Sequence, residues 1–244
     1  MDHPRLSPQA KRAYGRGFGA DAAAYDAVRP GYPAEVLTRL EGLAAGRPVL
    51  DVGAGTGKLS AGLAARGCEV TAVDPDRAAL TRNPVPGLLG TAEALPVASG
   101  AFGLATVAQA WHWFDAPRAA AELRRVLAPG GAAAIVVNQL DVRLDWVLRL
   151  SRIMHAGDVY RPSWRPELPG FGPSSVAVVE FRQEMSVERA VELAATRSYW
   201  LRSDEATRAR VAGNIRDFLG REHPMPEPFG LPYLCLLAVA RARS

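Results

Sequence analysis

From Arg47 onward the chain alternates short, unbroken apolar runs with stretches whose apolar residues recur every three or four positions. Unbroken runs of this kind suit strands buried on both faces, and the intervening periodicity suits amphipathic helices. Pro48 to Val52, Glu69 to Asp74, Gly87 to Gly90, Phe102 to Ala108 and Ala132 to Asn138 are therefore expected as strands. Lys58 to Arg66, Asp76 to Thr81 and Pro117 to Leu127 are expected as helices, the last stopped by Pro129-Gly130-Gly131. Strand and helix in alternation predict βαβ units and a parallel sheet.

Beyond Asn138 the rhythm changes. Asp141 to Asp158 reads as a helix with apolar residues at Leu144, Val147, Leu148, Ile153 and Met154, followed by a proline- and aromatic-rich loop from Tyr160 to Pro173. A strand is expected at Ser175 to Phe181, helices at Val187 to Ser198 and Asp204 to Leu219, and a final strand at Tyr233 to Ala240. Residues 1–40 carry helical signals broken at Arg29-Pro30-Gly31-Tyr32-Pro33, where two prolines impose an extended turn. This segment is expected to cover part of the sheet.

Composition acts mainly by exclusion. With 244 residues, 48% hydrophobic and 22% charged, the chain reads as one globular domain over residues 1–244. Within it fall an N-terminal cover (1–40), a core (47–139), an insert (140–173) and C-terminal helices and strands (174–244). No repeat is visible. The most apolar stretch, Leu231 to Ala240, contains Pro232 and is far shorter than the ~18 residues of a membrane span. Met1-Asp2-His3-Pro4-Arg5 lacks the order of a secretory signal, so a soluble cytoplasmic protein is expected. The net charge of +4 comes from scattered basic residues without a like-charge run, and no nucleic-acid partner is expected. The two cysteines, Cys68 and Cys235, lie far apart in apolar surroundings, which suits buried thiols. No His/Cys/Asp cluster has ligand spacing, and no metal is expected.

The chemistry concentrates in Val49-Leu50-Asp51-Val52-Gly53-Ala54-Gly55-Thr56-Gly57-Lys58, an expected strand entering a glycine-rich turn before a helix. A Walker phosphate loop needs glycine where Val52 stands and Ser or Thr where Leu59 stands. A dinucleotide fingerprint needs its third glycine at Lys58. The spacing is instead G-x-G-x-G, led by an acid. Glycines 53, 55 and 57 let the backbone turn tightly and approach a ligand without a Cβ in the way. Asp74 ends the second expected strand about 20 residues on, where an acid meets the two hydroxyls of a ribose.

This pattern resembles the class I S-adenosylmethionine-dependent methyltransferases, in the small-molecule group that includes the trans-aconitate methyltransferase-like enzymes. Further matching stretches are Phe18-Gly19-Ala20 to Tyr25-Asp26, Arg29-Pro30-Gly31-Tyr32-Pro33 and Val73-Asp74-Pro75-Asp76. Gly90-Thr91-Ala92-Glu93-Ala94-Leu95-Pro96, Ala108-Gln109-Ala110-Trp111-His112-Trp113-Phe114, Arg197-Ser198-Tyr199 and Leu231-Pro232-Tyr233 complete the set. The resemblance covers most of the chain. It implies an α/β, Rossmann-like sheet with helices on both faces, mostly parallel with a C-terminal antiparallel strand, plus a helical N-terminal cover and a helical insert.

It also implies roles. Asp51 orders the loop and accepts from the ammonium of S-adenosylmethionine, directly or through water. Asp74 and the adjoining Pro75 belong to the ribose side. Ala92 and Glu93 flank the adenine, with Glu93 equally readable as a solvated loop carboxylate. Tyr25 and Arg29 fold over the cofactor, Arg29 offering a fork to its carboxylate. Gln109 lies beside the sulfonium or caps its strand. His112 is the candidate base, its rival role being packing between Trp111 and Trp113. With Tyr199 and Trp200, those tryptophans form the expected substrate side.

The expected function is methyl transfer to a small molecule, at a carboxylate or hydroxyl oxygen, releasing S-adenosylhomocysteine. Two other readings stand beside it: a non-methylating binder or cyclase-like catalyst on the same fold, and a methyltransferase acting on a peptide or other macromolecule. Oligomeric state has no sequence signal.

Overall fold

The computed structural model describes residues 26–157 and 163–242. Its core is a seven-stranded sheet in the order β3-β2-β1-β4-β5-β7-β6. The strands are β1 (Val49–Val52), β2 (Val70–Asp74), β3 (Gly87–Leu89), β4 (Phe102–Ala108), β5 (Leu127–Leu140), β6 (Ser175–Met185) and β7 (Phe229–Arg241). β1 to β5 run parallel, whereas β7 is antiparallel to both β5 and β6.

The strands in the middle of the sheet are apolar because both faces are covered. On one face α1 (Ala34–Ala44) and α2 (Lys58–Ala64) pack Val36, Leu40, Leu59 and Leu63 onto Val49, Leu104, Ala134 and Val136. On the other, α4 (Ala116–Val126) sets Ala119, Ala120 and Leu123 against Leu50, Ala105, Val107 and Ile135. α4 starts where Asp115 accepts from the Arg118 amide, with Pro117 in the first turn. The short α3 (Arg77–Leu80) is capped by Asp76, which accepts from the Ala78 and Ala79 amides.

A further apolar cluster joins α5 (Asp145–Ile153), α6 (Val187–Ala195) and α8 (Glu205–Asp217) to the early part of β7. Between α6 and α8 lies α7 (Ser198–Arg202). The helix expected over Val187 to Ser198 thus breaks at Thr196 and Arg197: Arg197 is extended, at φ −88° and ψ 147°. Its guanidinium donates to the Ala156 carbonyl at 2.9 Å, tying this break to the end of α5.

Other boundaries differ from expectation for local reasons. α5 begins at Asp145, not Asp141, because Asp141 is drawn into the sheet edge. Its amide donates to the Pro232 carbonyl at 3.0 Å and its carboxylate pairs with Arg143. β5 starts at Leu127, which pairs with Phe102 before a register shift carries the strand through Pro129-Gly130-Gly131. β7 admits Pro232 just beyond the last β5 pair, Leu140 with Tyr233, where its carbonyl alone is engaged, by the Asp141 amide. The final helix extends into a π turn at Phe218–Glu222.

Candidate active site

At the carboxyl end of β1 the chain turns through the glycine loop, held to β2 by its own backbone. Gly53 and Ala54 amides donate to the Val73 carbonyl at 2.8 and 3.2 Å. The Gly55 amide donates to Asp74 Oδ2 at 2.8 Å, and the Asp76 amide donates to Asp74 Oδ1 at 2.8 Å. Asp74, only 8% exposed, therefore clamps the loop with both oxygens and keeps further lone pairs on each. Burial raises its pKa above the ordinary carboxylate range, while the two amides pull it back.

The loop glycines have different reasons to be glycine. Gly53, Gly55 and Gly57 have φ of 68°, 53° and 89°, where other residues are strained. A Cβ on Gly53 would lie 2.7 Å from Ala110 Cβ and 3.1 Å from Phe114, and one on Gly57 would lie 2.5 Å from Asn83 Oδ1. A Cβ on Gly55 meets nothing within 4 Å, so the backbone beside Asp74 is bare to an approaching molecule. Gly53→Ala should cost roughly 2–3 kcal/mol, combining left-handed strain with the Ala110 clash. Thermal unfolding should move down by about 4–12 °C; an unchanged midpoint would contradict this packing.

Asp51 is 1% exposed at the end of β1. Ser60 of α2 donates to its Oδ2 at 2.6 Å, and Thr106 of β4 donates to its Oδ1 at 2.9 Å. Burial pushes its pKa up to about 6 despite both hydroxyls. The loop is also held from outside. Thr56 donates to Asp26 Oδ1 at 2.5 Å, and Lys58 Nζ donates to the Asp26 carbonyl at 2.7 Å, so the segment ahead of α1 rests on the glycine loop.

At the end of β4, Gln109 takes φ 58°, a left-handed position held by non-glycine residue. Its amide donates to the Val136 carbonyl at 2.9 Å and its side chain to the Asn138 carbonyl at 2.8 Å, so it bridges β4 and β5. A 3₁₀ turn, Trp111–Trp113, follows. Trp111 meets Phe114 edge-on at 6.0 Å, and the exposed His112 ring lies 4.7 Å from that of Trp113. Ala92 is buried against the core, and Glu93 accepts from the Asp115 amide at 3.0 Å. Pro75 is exposed between the two aspartates.

The structure thus brings Asp51, Gly53, Gly55, Gly57 and Asp74 together at the adjoining ends of β1 and β2. Gln109 and the turn carrying Trp111, His112 and Trp113 adjoin them through the Gly53, Ala110 and Phe114 packing. Arg29 donates to the Thr196 hydroxyl at 2.9 Å and to the Thr196 carbonyl at 3.1 Å. Tyr199 of α7 stacks on His155 at 3.7 Å, and Trp200 packs against the cluster around α5 and α6. Tyr25 lies outside the described residues. Ser60, Thr106, Asp26 and Asn138 were not anticipated. Of these, Thr106 carried a signal, as the hydroxyl within the Phe102 to Ala108 run.

Among the described residues no group of three His, Cys, Asp or Glu side chains is placed to hold a metal ion. No helix there is long and apolar enough to cross a membrane. Cys235 is buried in β7 with its thiol pushed up to about 12 by burial, which suits an inert core thiol.

A parallel sheet continued by an antiparallel seventh strand, with a glycine loop and two strand-end acids at its carboxyl edge, is the class I methyltransferase fold. The chain belongs to the S-adenosylmethionine-dependent methyltransferases, and residues 50–135 match the methyltransferase-domain family. An uncharacterized methyltransferase of Mycobacterium tuberculosis is 39% identical over 235 residues, spanning 92% of this chain and 95% of that one. An uncharacterized methyltransferase-like protein of Schizosaccharomyces pombe is 29% identical over 214 residues, spanning 81% and 84%. A solved structure from Anaeromyxobacter dehalogenans, named as a candidate type II methyltransferase, is 28% identical with a TM-score of 0.54, covering 88% of this chain and 97% of that one. The cofactor is S-adenosylmethionine.

Proposed function

We propose that the protein transfers the methyl group of S-adenosylmethionine to a hydroxyl or carboxylate oxygen of a small molecule. The observation that carries this reading is the Asp74 clamp: a buried carboxylate whose oxygens hold the loop at Gly55 and Asp76 and still have lone pairs for two ribose hydroxyls. The bare backbone at Gly55 and the buried charge of Asp51 fit the rest of the cofactor, a cation with an amino-acid end. When bound, the cofactor supplies a methyl group already activated on a sulfonium, so alignment and water exclusion account for most of the catalysis.

The chain's own residues then divide the work. Gly53, Gly55 and Gly57 shape the cradle, Asp74 with Pro75 holds the ribose side, and Ala92 with Glu93 borders the adenine. Gln109 fixes the β4 end beside the transfer point. Arg29 braces α6 at Thr196, and with Tyr25 it belongs to the cover over the cofactor. Trp111, Trp113, Tyr199 and Trp200 form the acceptor side. The N-terminal cover, whose described part rests on the glycine loop from Asp26, and the 140–173 insert belong to one methyltransferase domain.

His112 is the proposed base for a hydroxyl acceptor, accepting its proton as the oxygen–carbon bond forms. His112→Ala should lower kcat by about 100-fold while S-adenosylhomocysteine affinity stays within about twofold. Unchanged turnover across the pH range where histidine titrates would return His112 to packing. The reading as a whole is tested by calorimetric titration with S-adenosylmethionine and S-adenosylhomocysteine, with NADH as control. Saturable binding of both sulfur ligands, and conversion of S-adenosylmethionine to S-adenosylhomocysteine in the presence of small acids or phenols, is expected. Failure of folded, ligand-free protein to bind either would overturn it.

A further inference from the structure

Asn138 stands at the carboxyl edge of β5, two positions beyond Val136, where the pairing with β4 ends at Ala108. Its carbonyl is tied to β4 by Gln109, and its Nδ2 donates to the Gly31 carbonyl at 2.9 Å. Its Oδ1 is buried without a hydrogen-bond partner among the described residues, in a residue only 9% exposed. The two ends of this amide are not interchangeable. The Gly31 carbonyl can only accept, so the NH2 must face it and the oxygen must face away.

Buried polar atoms are normally paired, so a lone buried acceptor points to a donor from elsewhere. The register supplies its neighbours. Asn138 pairs with Cys235 and Leu140 with Tyr233, which makes Tyr233 a diagonal neighbour of Asn138 on the same sheet face. The Tyr233 ring stacks on Phe181 at 5.3 Å. The combination is a hydrogen-bond acceptor beside an aromatic pair, at the edge where open α/β sheets bind their ligands.

We propose that Asn138 Oδ1 is a specificity determinant that receives the O–H of the methyl acceptor, so that the substrate class is a hydroxyl compound with an apolar body. This rests on the methyltransferase reading above. A carboxylate offers only lone pairs to Oδ1 and is repelled, whereas a bound hydroxyl donates its O–H hydrogen bond there and turns a lone pair outward; the amide oxygen only orients the group, and the proton shed as the new oxygen–carbon bond forms passes to His112, the proposed base. Oδ1 is buried and Nδ2 of the same side chain holds the Gly31 carbonyl, so the turn at Gly31 must shift for an acceptor to reach it.

Gln183 provides an internal control. Its Nε2 donates to the Val28 carbonyl at 2.8 Å, and its Oε1 is likewise buried without a partner among the described residues. It lies on β6, four positions beyond Val179, which pairs with Cys235, and so stands two strands away from Asn138. Both amides hold the cover, but only Asn138 adjoins Gln109.

The test is S-adenosylhomocysteine release with matched pairs: phenol against benzoate, cyclohexanol against cyclohexanecarboxylate, and a panel of such pairs extended to larger rings. The expected result is turnover of hydroxyl members and none of carboxylates. Asn138→Leu should lower kcat/KM on hydroxyl acceptors at least about tenfold, with S-adenosylhomocysteine affinity within about twofold. Asn138→Asp keeps an acceptor but sets its second oxygen against the Gly31 carbonyl, so it should keep the hydroxyl preference at a lower kcat/KM. Gln183→Leu should lower activity on every acceptor alike and leave the preference intact. Turnover of carboxylates alone, no hydroxyl compound accepted by protein that binds S-adenosylhomocysteine, or an Asn138→Leu protein with wild-type kcat/KM would each overturn the proposal. Loss of S-adenosylhomocysteine binding by the wild type would instead remove the reading beneath it.

Discussion

Replacing Asp74 by alanine should weaken S-adenosylhomocysteine binding about 30- to 150-fold, measured by calorimetry at neutral pH. The carboxylate carries two tasks that the variant loses together. It accepts the Gly55 and Asp76 amides, and without it those N–H groups, which shape the loop, lose their partner. It is also the proposed partner of the ribose hydroxyls, and charge-assisted bonds of that kind are worth roughly 2–3 kcal/mol together, which converts to the stated range.

Asparagine at the same place is not a mild change. Both carboxylate oxygens face backbone N–H donors, so the NH2 of an amide must point at one of them wherever it turns. Asp74→Asn is therefore expected to bind within about threefold of Asp74→Ala. An asparagine variant with wild-type affinity would show that the clamp is dispensable and would remove Asp74 from the cofactor site.

That this residue was legible from the sequence, while its neighbours were not, has a physical basis. Asp74 announces itself because it ends a run of buried β residues, where a carboxylate has no packing reason to be. Asp51 does the same on β1, and the glycines between them mark left-handed turns. These signals are local. The hydroxyls that hold Asp51 come from Ser60, in the next helix, and from Thr106, 55 positions along the chain but on the neighbouring strand through the pairing of β1 with β4. Their role exists only once the sheet order is known. Arg29 likewise has a setting that its local stretch does not reveal: its Nε and one NH2 reach Thr196, 167 positions away. Element boundaries failed where tertiary pairing overrode a local stop signal. Pro129-Gly130-Gly131 looks like the end of a helix, but Leu127 already pairs with Phe102, so the same residues form a bulged strand entry.

Asp51 should make both cofactor binding and stability depend on pH, in opposite senses. With its pKa near 6 in the free protein, this group is half protonated at a pH where ordinary aspartates are ionised. A bound cation favours the ionised form and lowers that pKa, so binding below pH 6 must first expel a proton. Affinity for S-adenosylhomocysteine, whose ammonium remains cationic, is expected to be about tenfold weaker at pH 5 than at pH 7.5 through this group. In the unliganded protein the sign reverses. The unfolded chain gives up the Asp51 proton near 3.8 and the folded chain only near 6, so stability contributed by this residue falls as pH rises between those values and is level above them. The full change is on the order of 3 kcal/mol. Asp51→Asn, which cannot titrate, isolates it: relative to wild type, the variant should be about 2.5 kcal/mol more stable at pH 7.5 than at pH 4, and its weaker cofactor affinity should lose the Asp51 step between pH 5 and 7.5. A wild-type-like affinity profile in the variant would place the titrating group elsewhere in the site, and an unchanged stability gap would mean that Ser60 and Thr106 neutralise the burial of Asp51 more completely than its position beneath the loop implies.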